Sequence, residues 1–316
     1  MRVEVGVKTS QGRLLGNYDN LRRIWVEADK LGYHSGWLFD HFFELPLYGP
    51  SHEQCLEAWT LLSALSKETS RLRLGVTCLC VTYRNPAVLA KMSSTLDVIS
   101  GGRFELGIGA GWARTEHEGY GIPFEKPRVR VERLEEAVII VKKMWTEENP
   151  TFEGKHYKIS GAVCEPKPLQ KPRPPIWIGG EGEKYTLRAV AKHADGCNFI
   201  GLSLDEYRHK LQVLAEHCDR IGRRIGGIRK SWQGTVIIGR TATEVKEKAR
   251  NARAASPVAQ EDFESHSIIG TPDQCIHRIG EYSDLGVDRF MLSFSEAATD
   301  LTGIRLFAEE VRPSLK

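Results

Sequence analysis

The sequence of 316 residues lacks the patterns that mark membrane, metal-binding and nucleic-acid-binding proteins. No apolar run approaches the roughly 18 residues that a membrane-spanning helix needs. The seven cysteines form no Cys-x-x-Cys pair, and no group of His, Cys, Asp and Glu has metal-ligand spacing. The formal net charge of +3 is too small for a nucleic-acid surface. We therefore expect a globular protein that binds a small molecule, and the charge permits that molecule to be anionic.

A secretory leader and a disulfide pattern are also missing. Residues 1–7 begin as a strand and lack the apolar core of a signal peptide. An odd number of scattered cysteines is typical of a reducing compartment, where thiols stay unbridged. These two features predict a cytoplasmic protein.

Strand-like and helix-like periodicities alternate along the whole chain, and no change of composition marks a domain boundary. Eight strand–helix units in this length favour an α/β fold of the (β/α)8 TIM-barrel type, formed by residues 1–316 as a single domain. The predicted strands cover residues 2–8, 36–39, 72–81, 103–109, 175–178, 195–200, 235–238 and 288–294.

Residues 151–174 do not fit this alternation, because the segment is too long and too rich in proline for an ordinary connection. We interpret it as an inserted hairpin and loop over the top face of the barrel. A surface excursion without a function is the alternative.

A glycine-rich segment at residues 101–111 carries the most information. A Gly-Gly turn leads into a short apolar strand that ends in Gly-x-Gly-x-Gly, with Gly109 and Gly111, followed by Trp112. Glycines at the end of a strand let a flat ligand lie against the backbone. The segment fails the dinucleotide fingerprint, because Trp112 and Arg114 stand where the third glycine would fall. It therefore predicts a different cofactor platform, although tight packing alone also explains such a run.

A second glycine-rich turn follows the fifth predicted strand. Gly179, Gly180, Glu181 and Gly182 precede a helix predicted over residues 184–193. Free N–H groups at such a place form an anion site. The turn is not a P-loop, since Gly-Lys-Ser/Thr is missing. We expect it to bind a phosphate through backbone donors without a metal.

Candidate acid–base residues occur after the second and fourth strands. Asp40 and His41 are adjacent at a strand end, where an acid can orient an imidazole that transfers a proton near neutral pH. Glu116 and His117 follow the glycine-rich strand. The structural alternatives are a capped turn or polar pocket for the first pair and a solvated helix start for the second.

The third strand supplies further candidates. Alternation places Cys78 and Cys80 on one face, where packing is the simplest role. Arg84 and Asn85 stand just before Pro86, at a helix start that can hold anions and polar ligand atoms.

Taken together, ten segments resemble the luciferase-like flavin and deazaflavin oxidoreductase superfamily, and within it the branch that uses coenzyme F420. They include Leu-Gly-Tyr at 31–33, Trp-Leu-Phe-Asp-His-Phe at 37–42, Leu-Arg-Leu-Gly at 72–75, Tyr-Arg-Asn-Pro-Ala at 83–87, residues 89–92 and 95–103, Gly-Ile-Gly-Ala-Gly-Trp at 107–112, Ile-Trp-Ile-Gly-Gly at 176–180, Ala-Asp-Gly-Cys-Asn at 194–198 and Gly-Thr-Pro at 270–272.

This resemblance implies a TIM barrel with an insertion, usually dimeric, that holds the flavin or deazaflavin ring in its mouth. A bulge at the third strand, often with a non-prolyl cis peptide, would support the ring, and the matching bond is Thr77–Cys78. The ribityl phosphate would lie on residues 179–182. Asp40 and His41 match the family's ring-contacting acid and its candidate proton donor.

One departure concerns the residue after the Gly-x-Gly-x-Gly run, which is acidic in the relatives that oxidise a sugar phosphate and is Trp112 here. The departure argues against the same substrate, and Glu116 and His117 are the nearest substitutes for the acid. We expect F420-dependent hydride transfer to or from a small organic substrate. An FMN-dependent monooxygenase and a non-catalytic cofactor-binding protein are the alternatives.

Overall fold

A computed structural model describes residues 3–12, 17–43, 54–254 and 259–315 of the chain. Eight parallel strands close into a barrel in the order β1, β2, β3, β5, β8, β9, β10 and β12, and β12 pairs with both β10 and β1. This arrangement confirms the predicted TIM barrel. The barrel strands are β1 (Glu4–Lys8), β2 (Ser35–Leu38), β3 (Arg73–Val76), β5 (Phe104–Gly109), β8 (Ile176–Gly179), β9 (Gly196–Ile200), β10 (Arg229–Ile238) and β12 (Arg289–Phe294).

Helices follow the carboxyl ends of most barrel strands, and apolar helix faces such as that of residues 18–31 are buried against the barrel. No helix in the described ranges combines the length and the apolar character needed to cross a membrane. The helices are α1 (Tyr18–Leu31), α2 (Ala58–Glu68), α3 (Pro86–Ser100), α4 (Arg114–Gly119), α5 (Pro127–Thr146), α6 (Thr186–His193), α7 (Leu204–Asp219), α8 (Ala242–Ala254), α9 (Gln260–Ser265), α10 (Pro272–Asp284) and α11 (Thr302–Leu306).

Two tryptophans fill the interior of the barrel. Trp37 and Trp177 are fully buried and meet edge to face, with ring centroids 6.5 Å apart. Glycines on neighbouring strands make room for them, because a Cβ on Gly75 would lie 2.1 Å from the Trp37 ring and one on Gly196 would lie 2.4 Å from the Trp177 ring. The filled interior leaves the carboxyl ends of the strands as the place for a ligand.

The amino-terminal end of the barrel contains a buried ionic cluster around Glu105. The carboxylate of Glu105 accepts hydrogen bonds from Arg73, Arg289 and the Trp177 indole, the last at 2.6 Å. Burial opposes ionisation, but the charges of Arg289 and Arg73 outweigh it and lower the pKa of Glu105 to about 2. This cluster contributes to the stability of the barrel rather than to the site, since it lies at the end opposite the strand termini that form the mouth.

The strands of the structure differ from the predicted strands in three ways. The third strand is interrupted after Val76, and the chain resumes pairing as the short β4 (Leu79–Cys80). The seventh barrel strand begins at Arg229 rather than at residue 235. The prediction missed its first half because polar side chains, such as the buried Ser231, interrupt the apolar pattern. An additional strand, β11 (Ser267–Gly270), pairs with the end of β10 and was not predicted.

The predicted insertion contains a hairpin, formed by β6 (Phe152–Glu153) and β7 (Lys158–Ile159). The loop that follows the hairpin, however, does not lie over the top face of the barrel, where the prediction placed it. The following loop bonds to α3, where Asp97 accepts from the N–H of Leu169, and Gln170 donates to the carbonyl of Phe104 at the start of β5. The loop therefore lies along the outside of the barrel toward its amino-terminal end, since it must lead the chain to the start of β8.

Candidate functional site

The carboxyl ends of the barrel strands enclose a cavity of about 670 Å³, which we call the mouth cavity. Among the described residues no group of three or more His, Cys, Asp or Glu could hold a metal ion. Of the predicted site residues, ten line the cavity: Asp40, His41, Thr77, Cys78, Gly109, Gly111, Trp112, Gly179, Gly180 and Gly182.

The wall of the mouth cavity on the side of β3 contains the cis peptide bond Thr77–Cys78 that the resemblance implies. Thr77 Oγ1 donates to Gln233 Oε1 at 2.6 Å, and Asn198 Nδ2 donates to the same oxygen at 3.2 Å. Gln233 lines the cavity although the sequence analysis did not select it. Gln233 lies outside the predicted strand at residues 235–238 and belongs to no motif, so no sequence signal selected it.

Glycines let the backbone of neighbouring strands approach Cys78. A Cβ on Gly179 would lie 2.2 Å from Cys78 Sγ, and one on Gly109 would lie 3.4 Å from Cys78 Cβ. Burial raises the pKa of the Cys78 thiol to about 12, so the thiol stays protonated and packs as an apolar group. The result is a smooth wall of backbone and small side chains, shaped for a flat ligand.

Asp40 is tied to an arginine rather than to the neighbouring histidine. The Arg84 guanidinium donates to both carboxylate oxygens of Asp40, at 2.7 and 3.0 Å, and to Glu57 at 2.6 Å. Asp40 also accepts from the N–H of Cys80 at 2.8 Å. The prediction that Asp40 orients His41 is therefore wrong, because both oxygens of Asp40 serve to fix Arg84 and the loop that contains Cys80.

His41 is held instead by Glu116, which comes from α4. The Nδ1 atom of His41 lies 2.7 Å from Glu116 Oε2, and the imidazole is 14% exposed while the carboxylate is fully buried. Trp112 meets the His41 ring edge to face at 5.5 Å and is itself 56% exposed at the rim. His41 thus combines access to the mouth cavity with a fixed partner.

Glu116 accepts three further hydrogen bonds besides that of His41. Tyr83 Oη donates to Oε2 at 2.8 Å, and the N–H groups of Phe42 and Phe43 donate to Oε1 at 2.6 and 3.5 Å. Burial alone would raise the pKa of Glu116, but these donors and the charge of His41 outweigh it and lower the pKa. Glu116 is therefore a carboxylate that orients the imidazole from outside the cavity.

His117 does not line the mouth cavity. The ring is fully buried, Nδ1 lies 2.7 Å from the carbonyl oxygen of Ala113, and Nε2 lies 2.7 Å from Thr82 Oγ1. Since a carbonyl only accepts, Nδ1 donates to it and the Thr82 hydroxyl satisfies Nε2. Both ring nitrogens are engaged, so the structure gives His117 a packing role and removes it as an acid–base candidate.

Asn85 and Glu181 also lie outside the lining of the mouth cavity. The Asn85 side chain caps α3 by accepting from the N–H groups of Ala87 and Val88, at 2.9 and 3.4 Å. Glu181 Oε1 accepts from the N–H of Ile200 at 2.9 Å, and burial raises the pKa of Glu181 against the effect of that donor. Both side chains thus accept from backbone N–H groups and do not line the cavity.

The glycine-rich turn after β8 presents only part of the predicted donor set. The N–H of Gly180 donates to the carbonyl of Asn198 at 3.3 Å and is already used. The N–H groups of residues 181–183 donate no hydrogen bond within the described ranges. Thr186, the first residue of α6, adds a hydroxyl that also lines the cavity. An anion at this place would therefore bind to residues 181–183 and Thr186.

Of the arginines Arg84, Arg114, Arg128 and Arg130, only Arg130 lines the mouth cavity. Its guanidinium donates to the Gly111 carbonyl at 3.1 Å and stacks over the Phe124 ring at 4.1 Å. Arg114 and Arg128 pair with Glu118 and Glu132 on the helix surfaces, and Arg84 serves Asp40.

Comparison with known proteins places this geometry in a family. The sequence profile of the luciferase-like monooxygenase family matches residues 1–257. The chain belongs to this family. The chain is similar to F420-dependent glucose-6-phosphate dehydrogenases: the protein of Kineococcus radiotolerans is 33% identical over 77% of this chain and 71% of its own length, and that of Microbacterium testaceum is 27% identical over 92% of this chain and 91% of its own.

A third relative uses a different cofactor. The FMNH2-dependent dimethylsulfone monooxygenase of Pseudomonas putida is 28% identical over 78% of this chain and 75% of its own length. Among solved structures, an F420-dependent secondary alcohol dehydrogenase in complex with an F420-acetone adduct superposes over the whole of both chains with a TM-score of 0.85 at 20% identity. That likeness confirms the fold of the barrel.

Proposed function

We propose that this chain is an F420-dependent oxidoreductase that exchanges a hydride between the deazaflavin and a small organic substrate. The observation that carries the proposal is the mouth cavity, in which a glycine-smoothed wall and the imidazole of His41 line the same space. Relatives that are named F420-dependent support the choice of cofactor. The deazaflavin would supply hydride chemistry, and the protein would supply position and proton transfer.

The residues present fit a flat ring with a phosphate-bearing tail. The ring would lie against Thr77, Cys78 and Gly109. A side chain on Gly179 would push Cys78 into the space of the ring. The phosphate would accept from the N–H groups of residues 181–183 and from the Thr186 hydroxyl. Gly182 and Thr186 line the same continuous cavity as Thr77, Cys78 and Gly109, so a single ligand can reach both places.

We assign the proton transfer that accompanies the hydride to the Nε2 atom of His41. Glu116 is an acceptor at Nδ1, so a neutral imidazole carries its hydrogen on Nδ1 and a lone pair on Nε2. In the oxidation of an alcohol, Nε2 accepts the hydroxyl proton as the hydride leaves carbon, and the imidazolium formed is stabilised by Glu116. In the reverse direction the same nitrogen donates.

The substrate of this chain differs, we propose, from a sugar phosphate. Trp112 stands beside His41 at the rim, where the sugar-phosphate dehydrogenases that resemble it place an acid, and the exposed Ile200 lines the same cavity. This part of the rim is apolar, which suits contact with carbon rather than with a charged group.

Cofactor choice is tested by titrating the protein with F420 and with FMN and following the fluorescence of each. We expect saturable binding of F420 and its reduction by a hydroxy compound. Tight FMN binding without F420 binding would overturn the assignment and favour the FMN-dependent monooxygenase, which the Pseudomonas relative makes the second candidate.

We further propose that the protein is a cytoplasmic homodimer, as the family resemblance implies. Sedimentation equilibrium of the purified chain tests the dimer, and fractionation of the source cells tests the location. A monomer at micromolar concentration would contradict the first proposal.

A further inference from the structure

Gln233 lies inside the barrel and lines the mouth cavity. It pairs in register with Met291 between β10 and β12, and Met291 packs with the two interior tryptophans. Side chains of residues that are paired in a parallel ladder point to the same face, so Gln233 also points inward. The residue is 6% exposed, and β10 continues beyond it to Ile238. Gln233 is therefore a polar side chain deep in the cavity.

The oxygen of the Gln233 amide is engaged by two neighbours. Thr77 Oγ1 donates to Oε1 at 2.6 Å, and Asn198 Nδ2 donates to it at 3.2 Å. The shorter distance is typical of O–H···O and the longer of N–H···O, as expected when the amide oxygen faces both donors. The Asn198 oxygen in turn accepts from the Ser231 hydroxyl at 2.8 Å. These bonds fix the orientation of the Gln233 amide.

The nitrogen of the same amide is left for a ligand. Nε2 of Gln233 carries two N–H groups, and neither donates to a protein atom within the described ranges. A buried N–H without an acceptor costs about 1–3 kcal/mol. A donor that is held in this way at a cavity surface therefore favours a ligand with an acceptor atom.

Gln233 borders the wall against which the ring would lie. Thr77 belongs to that wall, and its hydroxyl is bonded to Gln233. Asn198 pairs in register with Gly179, and a Cβ on Gly179 would meet Cys78. The hydrogen-bonded side chains thus follow one margin of the wall, and a ring on the wall would have one of its edges at Gln233.

We propose that Gln233 Nε2 donates to a carbonyl oxygen on the pyrimidinedione edge of the ring. This inference rests on the proposed function, because it needs a deazaflavin or flavin ring in the mouth cavity. The pyrimidinedione edge carries two carbonyl groups in F420 and in FMN, whereas the opposite edge carries a hydroxyl group in F420 and methyl groups in FMN. An amide nitrogen only donates, so it selects the carbonyl edge and decides which end of the ring lies deep in the barrel.

The Gln233→Glu variant tests this contact, because it replaces Nε2 by an oxygen and keeps an acceptor for Thr77 and Asn198. We expect the Kd for F420 to rise by about tenfold or more, since a carboxylate oxygen would face a carbonyl oxygen. Gln233→Leu removes the bond without adding charge and should raise Kd by about twofold to tenfold. Gln212→Glu is the matched control, because Gln212 is exposed on α7 and should keep the wild-type Kd.

Raman spectroscopy of the bound ring provides a readout that a merely structural role would not move. A hydrogen bond lowers the stretching frequency of the carbonyl that accepts it. The carbonyl band of bound F420 should therefore lie lower in the wild type and in Gln212→Glu than in either Gln233 variant. If neither Gln233 variant folds, the wild-type band decides: a position as low as in water supports the contact, and the position found in an aprotic solvent overturns it.

FMN separates this inference from the proposed function, because it has the same carbonyl edge. If F420 fails to bind while FMN binds and loses affinity and its lowered carbonyl band in Gln233→Glu, the choice of cofactor is wrong and the role of Gln233 stands. If F420 binds and is reduced, but Kd and the carbonyl band are equal in the wild type and Gln233→Glu, the proposed function stands and the role of Gln233 is overturned. Binding of neither ring overturns both.

Discussion

The Nδ1 atom of His41 lies 2.7 Å from Oε2 of Glu116, a residue 75 positions away along the chain. The adjacent Asp40 makes no such contact and instead holds Arg84 through both of its oxygens. The carboxylate that orients the imidazole is thus supplied by α4, after the fourth barrel strand, and not by the residue next to it. Four predictions follow from this site and from the barrel that supports it.

Replacing the imidazole should remove proton transfer and leave the cofactor site intact. We expect His41→Asn to lower kcat by about 10²- to 10⁴-fold with the best hydroxy compound, while the fluorescence titration with F420 changes little. His156→Asn is the matched control, because His156 also pairs with a glutamate, Glu132 at 3.2 Å, but on the β6–β7 hairpin. Wild-type turnover in His41→Asn would contradict the assigned role.

Replacing Glu116 should change the pH dependence of turnover. In Glu116→Gln the imidazolium loses the carboxylate that stabilises it, so we expect lower kcat and an acid limb of the alcohol-oxidation profile that moves to lower pH. Tyr83→Phe removes one donor from the same oxygen and keeps the charge, so its acid limb should stay near that of the wild type. If the acid limb of the Glu116→Gln profile stays at the wild-type pH, the carboxylate has only a packing role.

The contact between Gly179 and Cys78 should appear as coupling between two mutations. Gly179→Ala places a methyl group 2.2 Å from Cys78 Sγ, so we expect a loss of about 1–3 kcal/mol in the free energy of unfolding and weaker F420 binding. Cys78→Ala removes the sulfur, and the double variant should recover most of both losses. Urea unfolding measures the loss of stability, and F420 titration measures the loss of binding. Additive losses in the double variant would contradict the predicted coupling.

Acid should weaken the barrel through Glu105. The pKa of this carboxyl is lowered from 4.5 to about 2, so its contribution to stability is complete above pH 4.5 and is lost as the pH falls toward 2. Glu105→Gln removes the carboxylate that Arg73 and Arg289 share, leaves Arg289 paired with Glu4 alone, and should cost up to about 3–5 kcal/mol at neutral pH. Its stability should then fall less steeply with acid than that of the wild type.

The exposed pair of Glu153 and Lys158 provides the control for this measurement, since Glu153→Gln should cost no more than about 1 kcal/mol. Denaturant unfolding at neutral and acid pH measures both variants. Equal losses in the buried and the exposed variant would contradict the account of the ionic cluster.

The position of most of the mouth could be predicted from the sequence. Strand ends of a (β/α)8 barrel meet at one face, so residues that follow an apolar run, such as His41, Cys78 and Gly179, were expected to converge. Local periodicity is enough for this, because each barrel strand carries its own alternation and its own terminal residue. Most of the ten predicted residues that line the cavity were selected in this way, whereas Thr77 and Cys78 were selected through the family resemblance.

Residues whose role depends on long-range contacts could not be predicted. Gln233 and Thr186 line the mouth cavity without any motif, and His117 matches a motif but is engaged by Thr82 and Ala113. The insertion lies outside the barrel because its loop bonds to α3, a contact that composition does not encode.

By itself, the sequence determined the barrel, the face that carries the site and the glycines that shape one wall, since these depend on period, turn chemistry and strand order. Only the tertiary structure decided which carboxylate holds His41 and which N–H groups stay available after β8. Those features depend on the register between strands that are far apart in the chain, where a shift of one residue would turn each side chain to the other face.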